Sequence, residues 1–117
     1  MEKARVEKAM QTIVSEIGCG LRESIYQNAL AVELRLLNHK VKLEQNETVI
    51  YKGQNIGTVR LDMIVDDKVI IEFKAVQKIT KKEKLQLENY LRITGLNFGF
   101  LINVSTDDFM IELISLD

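Results

Sequence analysis

The stretch "VRLDMIVDDKVIIEFKA", residues 59–75, leaves the chain few ways to fold. Its apolar residues recur at a period of two, the repeat of a half-buried strand rather than a helix. Val59, Leu61, Met63 and Val65 line one face of a first strand, and Val69, Ile71, Phe73 and Ala75 one face of a second. Two wholly apolar faces must cover the core together. A slip of one residue would turn one set outward, so the register is specified. Pairing Val65 with Val69 across Asp66, Asp67 and Lys68 puts Met63 opposite Ile71 and Leu61 opposite Phe73. On the other face Ile64 meets Ile70, Asp62 meets Glu72, and Arg60 meets Lys74.

Two carboxylates directly across a strand pair have β-carbons roughly 5 Å apart, and like charges so placed are destabilising. A proton or a cation relieves the repulsion. Magnesium is suited to it, because it takes one or two carboxylates and keeps several waters. The competing reading is a solvated charge ladder of Arg60, Asp62, Glu72 and Lys74. The pairing alone leaves both open.

The flanking segments supply the rest of a domain. Residues 3–17 carry Val6, Met10, Ile13 and Ile17 at helical spacing, ended by Gly18 and Gly20. A second helix is expected over about Leu21 to His39, with Ile25, Ala29, Val32 and Leu36 as its apolar stripe, widened by Tyr26, Leu30, Leu34 and Leu37. His39 falls at its C-terminus, where the dipole favours a histidine. Residues 47–76 read as three strands with tight turns around "KGQN" and "DDK". "ITKKEKLQLENYLRITG" is a third helix, opened by Thr80 as N-cap and closed by Gly95. "NFGFLINVS" reads as a strand buried on both faces, and "FMIELISL" as a final strand. The order predicts one α+β domain over residues 1–117, with a mixed central sheet flanked by helices.

Composition removes several chemistries. A single cysteine forms no intrachain disulfide, and a reducing, cytoplasmic setting is expected. The charges in "MEKARVEKAM" argue against a secretory signal, and no segment reads as a membrane span. His39 is the only imidazole, and with Cys19 it cannot build a typical structural zinc site. P-loop and dinucleotide fingerprints are absent. A net charge of -1 gives no global attraction for nucleic acid, so such binding needs a local basic patch or a bound cation. Lys78, Lys81, Lys82 and Lys84 form one candidate patch, readable equally as a solvated face or a phosphate-contacting lip.

Asp62, nine intervening residues and then Glu72-Phe73-Lys74 resemble the D…(D/E)xK signature of the PD-(D/E)XK nuclease superfamily. Gln86-Leu87-Glu88-Asn89-Tyr90 resembles the QxxxY motif of its RecB-like branch. Gly20-Leu21-Arg22-Glu23-Ser24-Ile25-Tyr26 is similar to the GxxExxY motif of a family of small single-domain members. Cys19 stands where that family commonly has proline, and "LINVS" replaces a more usual Leu-Ile-Asn-Phe-Gly. The resemblance runs from about Ala9 to Val104. It implies a restriction-endonuclease-like αβββαβ core, α/β in type, and a Mg2+- or Mn2+-dependent phosphodiester hydrolase acting on nucleic acid, DNA before RNA. It makes Asp62 and Glu72 metal ligands, with the Phe73 carbonyl as a third and Glu23 approaching directly or through water. Lys74 then orients or activates the attacking water. Gln86 and Tyr90, one helical turn apart, brace the lysine or hold the substrate backbone. Lys78 and Lys82 join them in contacting the substrate. The competing expectations are a catalytically silent nuclease-fold module that binds nucleic acid or a protein, and an assembly unit, such as a homodimer, paired through the "FMIELISL" edge.

Overall fold

The structure, a computed structural model describing residues 1–116, is organised by one five-stranded sheet in the order β1-β2-β3-β4-β5. Its strands are β1 (Val41–Tyr51), β2 (Gln54–Val65), β3 (Val69–Lys74), β4 (Phe98–Val104) and β5 (Phe109–Ser115). Neighbours are antiparallel except β3 and β4, which are parallel because helix α3 (Lys81–Thr94) crosses over between them. Helices α1 (Lys3–Ile17) and α2 (Glu23–Leu36) cover one face, and α3 covers the other. The expected α+β architecture with a mixed sheet is the one observed. No helix among the described residues is long and apolar enough to cross a membrane.

Each face has its own core. On the first, Met10, Tyr26, Leu30 and Leu34 pack against Met63, Ile71, Phe73 and Phe100. On the second, Leu87 and Leu91 of α3 pack against Leu61, Ile64, Ile70 and Leu101. Helix α3 begins with a capping box, in which the Glu83 carboxylate accepts from both the backbone N–H and the hydroxyl of Thr80. Gly95 closes it at φ 74°.

Helix α2 departs from expectation in both its limits and its facing. It starts at Glu23 and stops at Leu36, and its inward stripe is Tyr26, Leu30 and Leu34 with Gln27 and Ala31. Val32 and Leu36, expected inside, are 55% and 74% exposed. Two apolar stripes compete on this helix, and the polar anchoring of Tyr26 described below selects the second. Asn38 takes a left-handed φ of 68°, and His39 lies beyond the helix end with Nδ1 2.7 Å from Asp66 Oδ2. The dipole therefore does not explain this histidine. Asp66 holds it.

The β2–β3 hairpin has the expected register at Val65–Val69, Ile64–Ile70 and Met63–Ile71, and then the ladder ends. Leu61–Phe73, Asp62–Glu72 and Arg60–Lys74 do not continue it. Alternation also breaks here. Leu61 and Val59 belong to the α3 side, whereas Met63 and Val65 face α1 and α2. At the same level of the sheet Glu44 has φ 51°, and it and Asp62 are both left out of the β1–β2 ladder, which resumes at Gln45–Leu61 in the same register. Beyond it, β1 and β2 run on as a two-stranded arm whose residues 51–58 are exposed and whose turn places Lys52 and Gly53 at positive φ.

Gly99 leaves no room for a side chain between β3 and α3. A β-carbon there would stand 2.5 Å from the Ile70 carbonyl oxygen and 3.2 Å from Leu87 Cδ1. Gly99→Ala is expected to lower unfolding stability by about 1–3 kcal/mol, the usual cost of overpacking, measured by denaturant titration. An unchanged midpoint would show that β3 and α3 can separate without penalty.

Candidate active site

Where the β2–β3 ladder ends, two carboxylates replace its missing partners. Glu72 Oε2 accepts the backbone N–H of Asp62 at 2.8 Å, and Asp62 Oδ2 accepts the backbone N–H of Phe73 at 2.9 Å. Each acid thus satisfies a backbone donor on the opposite strand that the parting strands would leave unpaired. The two side chains are held in the fork by the chain's own backbone. Sequence reasoning placed these acids opposite each other across a continuous ladder. The structure brings them together by opening that ladder.

Burial makes the pair electrostatically expensive. Glu72 is 3% exposed and Asp62 half-buried. Burial, and next the charge of Asp62, push the Glu72 carboxyl up to about 8. Asp62 is also raised, by burial, against the pull of the Phe73 N–H, Lys74 and Arg60. The donor set fits a hard divalent cation. No buried side-chain oxygen among the described residues lacks a partner, so Asp62 Oδ1 and Glu72 Oε1, with no protein donor, open toward solvent. Glu23 is exposed in the first turn of α2, and its charge reaches Glu72. Among the described residues no three acids, histidines or cysteines cluster as a metal cage. Two carboxylates with remaining positions for water match the habit of magnesium.

Helix α3 supplies the opposite wall. Lys74 lies two residues after Glu72 on the same side of β3, and its Nζ donates to Gln86 Oε1 at 2.7 Å. Its charge lowers the cost of ionising both carboxylates. Tyr90, one turn after Gln86, is half-buried, and its hydroxyl is raised by burial and then by Glu72 and Asp62. Asp62, Glu72, Lys74, Gln86 and Tyr90 therefore form one constellation.

The glycine junction before α2 has a specific anchor. Gly18 and Gly20 take φ of 79° and 85°, conformations that glycine adopts at low cost. The buried Tyr26 hydroxyl donates to the Gly18 carbonyl at 2.7 Å and accepts the Leu21 N–H at 3.1 Å. That pair of bonds sets where α2 starts, and so where Glu23 sits. A cavity of about 100 Å³ is lined by Gly20 and Leu21 together with Ala75, Val76 and Gln77, the residues just after Lys74.

Asn103 was missed by the sequence reading. It is 4% exposed in β4 and clamps Val76, accepting its N–H at 2.9 Å and donating to its carbonyl at 2.8 Å. The available signal was a lone amide within the doubly buried run "FGFLINV". The expected lysine lip is divided. Lys82 lines a groove of about 600 Å³ with Gln86 and Tyr90, whereas Lys78 lines another of about 410 Å³ beside Asn103. Lys84 is engaged by Glu112 at 3.1 Å.

The family model described as the PD-(D/E)XK nuclease superfamily matches residues 1–113. The crystal structure of SSO0001 superposes with a TM-score of 0.60 over 81% of this chain at 23% identity, a likeness of fold. The chain spans about half, 52%, of that protein's length. No curated protein matches the sequence.

The fork carries a pH signature. Glu72 keeps its proton to about pH 8 in the folded chain, against 4.5 for an ordinary glutamate. Folding therefore favours the protonated acid, and its contribution is complete below the lower value and lost as pH rises through the higher. In a chelator, stability should fall between about pH 5 and pH 8, by up to about 1.4 kcal/mol per pH unit from this group. Glu72→Gln should flatten that slope in thermal melts. An equally steep slope in the variant would contradict the assignment.

Proposed function

This chain belongs to the PD-(D/E)XK nuclease superfamily, and from that premise we propose a Mg2+- or Mn2+-dependent phosphodiester hydrolase acting on nucleic acid, DNA before RNA. The observation that carries the reading is the buried Asp62–Glu72 pair with Lys74 alongside. Asp62 and Glu72 would hold the ion, with the Phe73 carbonyl and Glu23, directly or through water, completing its surroundings. The bound ion supplies charge stabilisation at the phosphate and lowers the pKa of water.

The chain's own residues supply position and protons. Gln86 holds the Lys74 ammonium beside the carboxylates, from where it donates to a phosphoryl oxygen and orients the attacking water. Tyr90 stays protonated at neutral pH and serves as a hydrogen-bond donor rather than a base. Lys82 extends the positive wall along α3, and Lys78 offers a second phosphate contact on the far groove. Gly20, Glu23 and Tyr26 act as one unit at the α2 start, which supports the GxxExxY reading. Gln86 and Tyr90 converge on the fork, which supports the QxxxY reading. For a homodimer the supporting surface is β5, an outer strand of the sheet with Met110 and Leu113 exposed.

The lack of a three-acid cluster among the described residues favours a second reading, a silent module that binds nucleic acid or a protein. Metal-dependent cleavage separates the two. Purified protein with Mn2+ should cut DNA, a chelator should stop it, and Lys74→Ala should lose at least ~100-fold in rate with an unchanged melting temperature. Cleavage by the variant at the parental rate would overturn the assignment of Lys74. A Mn2+-raised melting temperature with no cleavage of DNA or RNA would establish the silent module.

A further inference from the structure

We propose that Asn103 is a positioning residue for Lys74: by clamping the chain where it leaves β3, it holds the ammonium on Gln86 beside the carboxylate fork. The proposal rests on the nuclease reading above. Lys74 and Asn103 are partners in the last rung of the parallel β3–β4 ladder. Two residues further on, Val76 has left that ladder. Asn103 Oδ1 nevertheless accepts its N–H at 2.9 Å, and Asn103 Nδ2 donates to its carbonyl at 2.8 Å. A carboxamide presents the same acceptor and donor as a peptide group, so the side chain supplies the rung that the β4 backbone no longer offers.

The segment so held has little else to hold it. Residues 75, 77 and 78 are exposed, and Val76 and Ile79 are half-buried. Among the described residues no other side chain forms a hydrogen bond with residues 75–79. The chain runs from Lys74 through Val76 into α3, and Gln86 of α3 returns to Lys74 Nζ at 2.7 Å, which closes a ring. Within that ring the ladder fixes the end of β3, and apolar packing on Leu61, Ile70 and Leu101 fixes α3. The connection between them is the loose member, and Asn103 pins it at its second residue.

Val76 also lines the cavity of about 100 Å³ that Gly20 and Leu21 share, so its placement reaches the junction from which Glu23 departs. A displacement of about 1 Å in a positioning group can cost about 100-fold in rate. A merely structural role for Asn103 asks less, only that the polar groups of Val76 be paired. The two roles are separable, because a water can pair those groups without fixing where they lie. Asn103→Ser is too short to reach Val76 and leaves room for such a water. Asn103→Leu keeps the size of the side chain and removes both bonds.

The test compares the parent with these two variants, each checked for folding by its melting curve; if the leucine variant does not fold, the serine variant decides. With Mn2+ and DNA, kcat should fall about 10–100-fold, while KM and the Mn2+ concentration at half-maximal rate stay within about twofold. A second readout needs no turnover. Acetylation of Lys74 relative to the exposed Lys82, followed by peptide mass spectrometry in chelator, should rise about fivefold or more as the ammonium leaves Gln86. Parental kcat in a folded variant, a change confined to KM, or an unaltered acetylation ratio overturns the proposal. If the parent itself cuts neither DNA nor RNA, the nuclease reading fails, and the acetylation ratio alone decides whether Asn103 holds Lys74.

Discussion

The reciprocal capping of Asp62 and Glu72 at the end of the β2–β3 ladder is the interaction on which the rest depends. An antiparallel hairpin that stops pairing leaves backbone donors exposed to a low-dielectric interior, and each unsatisfied donor costs about 1–3 kcal/mol. Here each donor is satisfied by an acid from the other strand. The strands are thereby allowed to part, and the opening between them is lined by carboxylate oxygens. One device thus ends a ladder and builds a candidate cation site.

The surrounding structure holds that device from three directions. Gln86 on α3 fixes Lys74, Asn103 on β4 clamps the chain just after it, and Tyr26 on α2 ties down the glycine junction. These three residues come from the two faces of the sheet and from within it. Each polar partner is placed by an apolar neighbour on the same element: Leu87 beside Gln86, Ile102 beside Asn103, and Leu30 one turn after Tyr26. The cores thus set the geometry of the site, and the site's ionisation feeds back on the stability of the cores.

Much of this was legible from local pattern. Helix α1 lies over residues 3–17 as the spacing of Val6, Met10 and Ile13 indicated, and Thr80 caps α3. The hairpin register holds through Met63–Ile71, because a one-residue slip would expose an entire apolar face. Other features were not legible. Val32 and Leu36 made as good a stripe on paper as Leu30 and Leu34, and the hydroxyl of Tyr26 decided between them. Leu61 lies on the other side from Met63, at the level of Glu44, whose positive φ has no local signal. Lys78 and Lys82, near neighbours in sequence, open on different grooves because α3 begins between them.

By itself the sequence determined the order of the elements, the register of the central hairpin from Val65–Val69 to Met63–Ile71, and that Asp62 and Glu72 come together. Those follow from periodicity and from the penalty for exposing apolar faces, both of which are local. Tertiary structure alone decided that the ladder opens at that meeting, that Leu61 turns toward α3, and that Lys74 is held by Gln86. These outcomes depend on which backbone donors lack partners once distant segments are packed together, and no window of sequence contains that information.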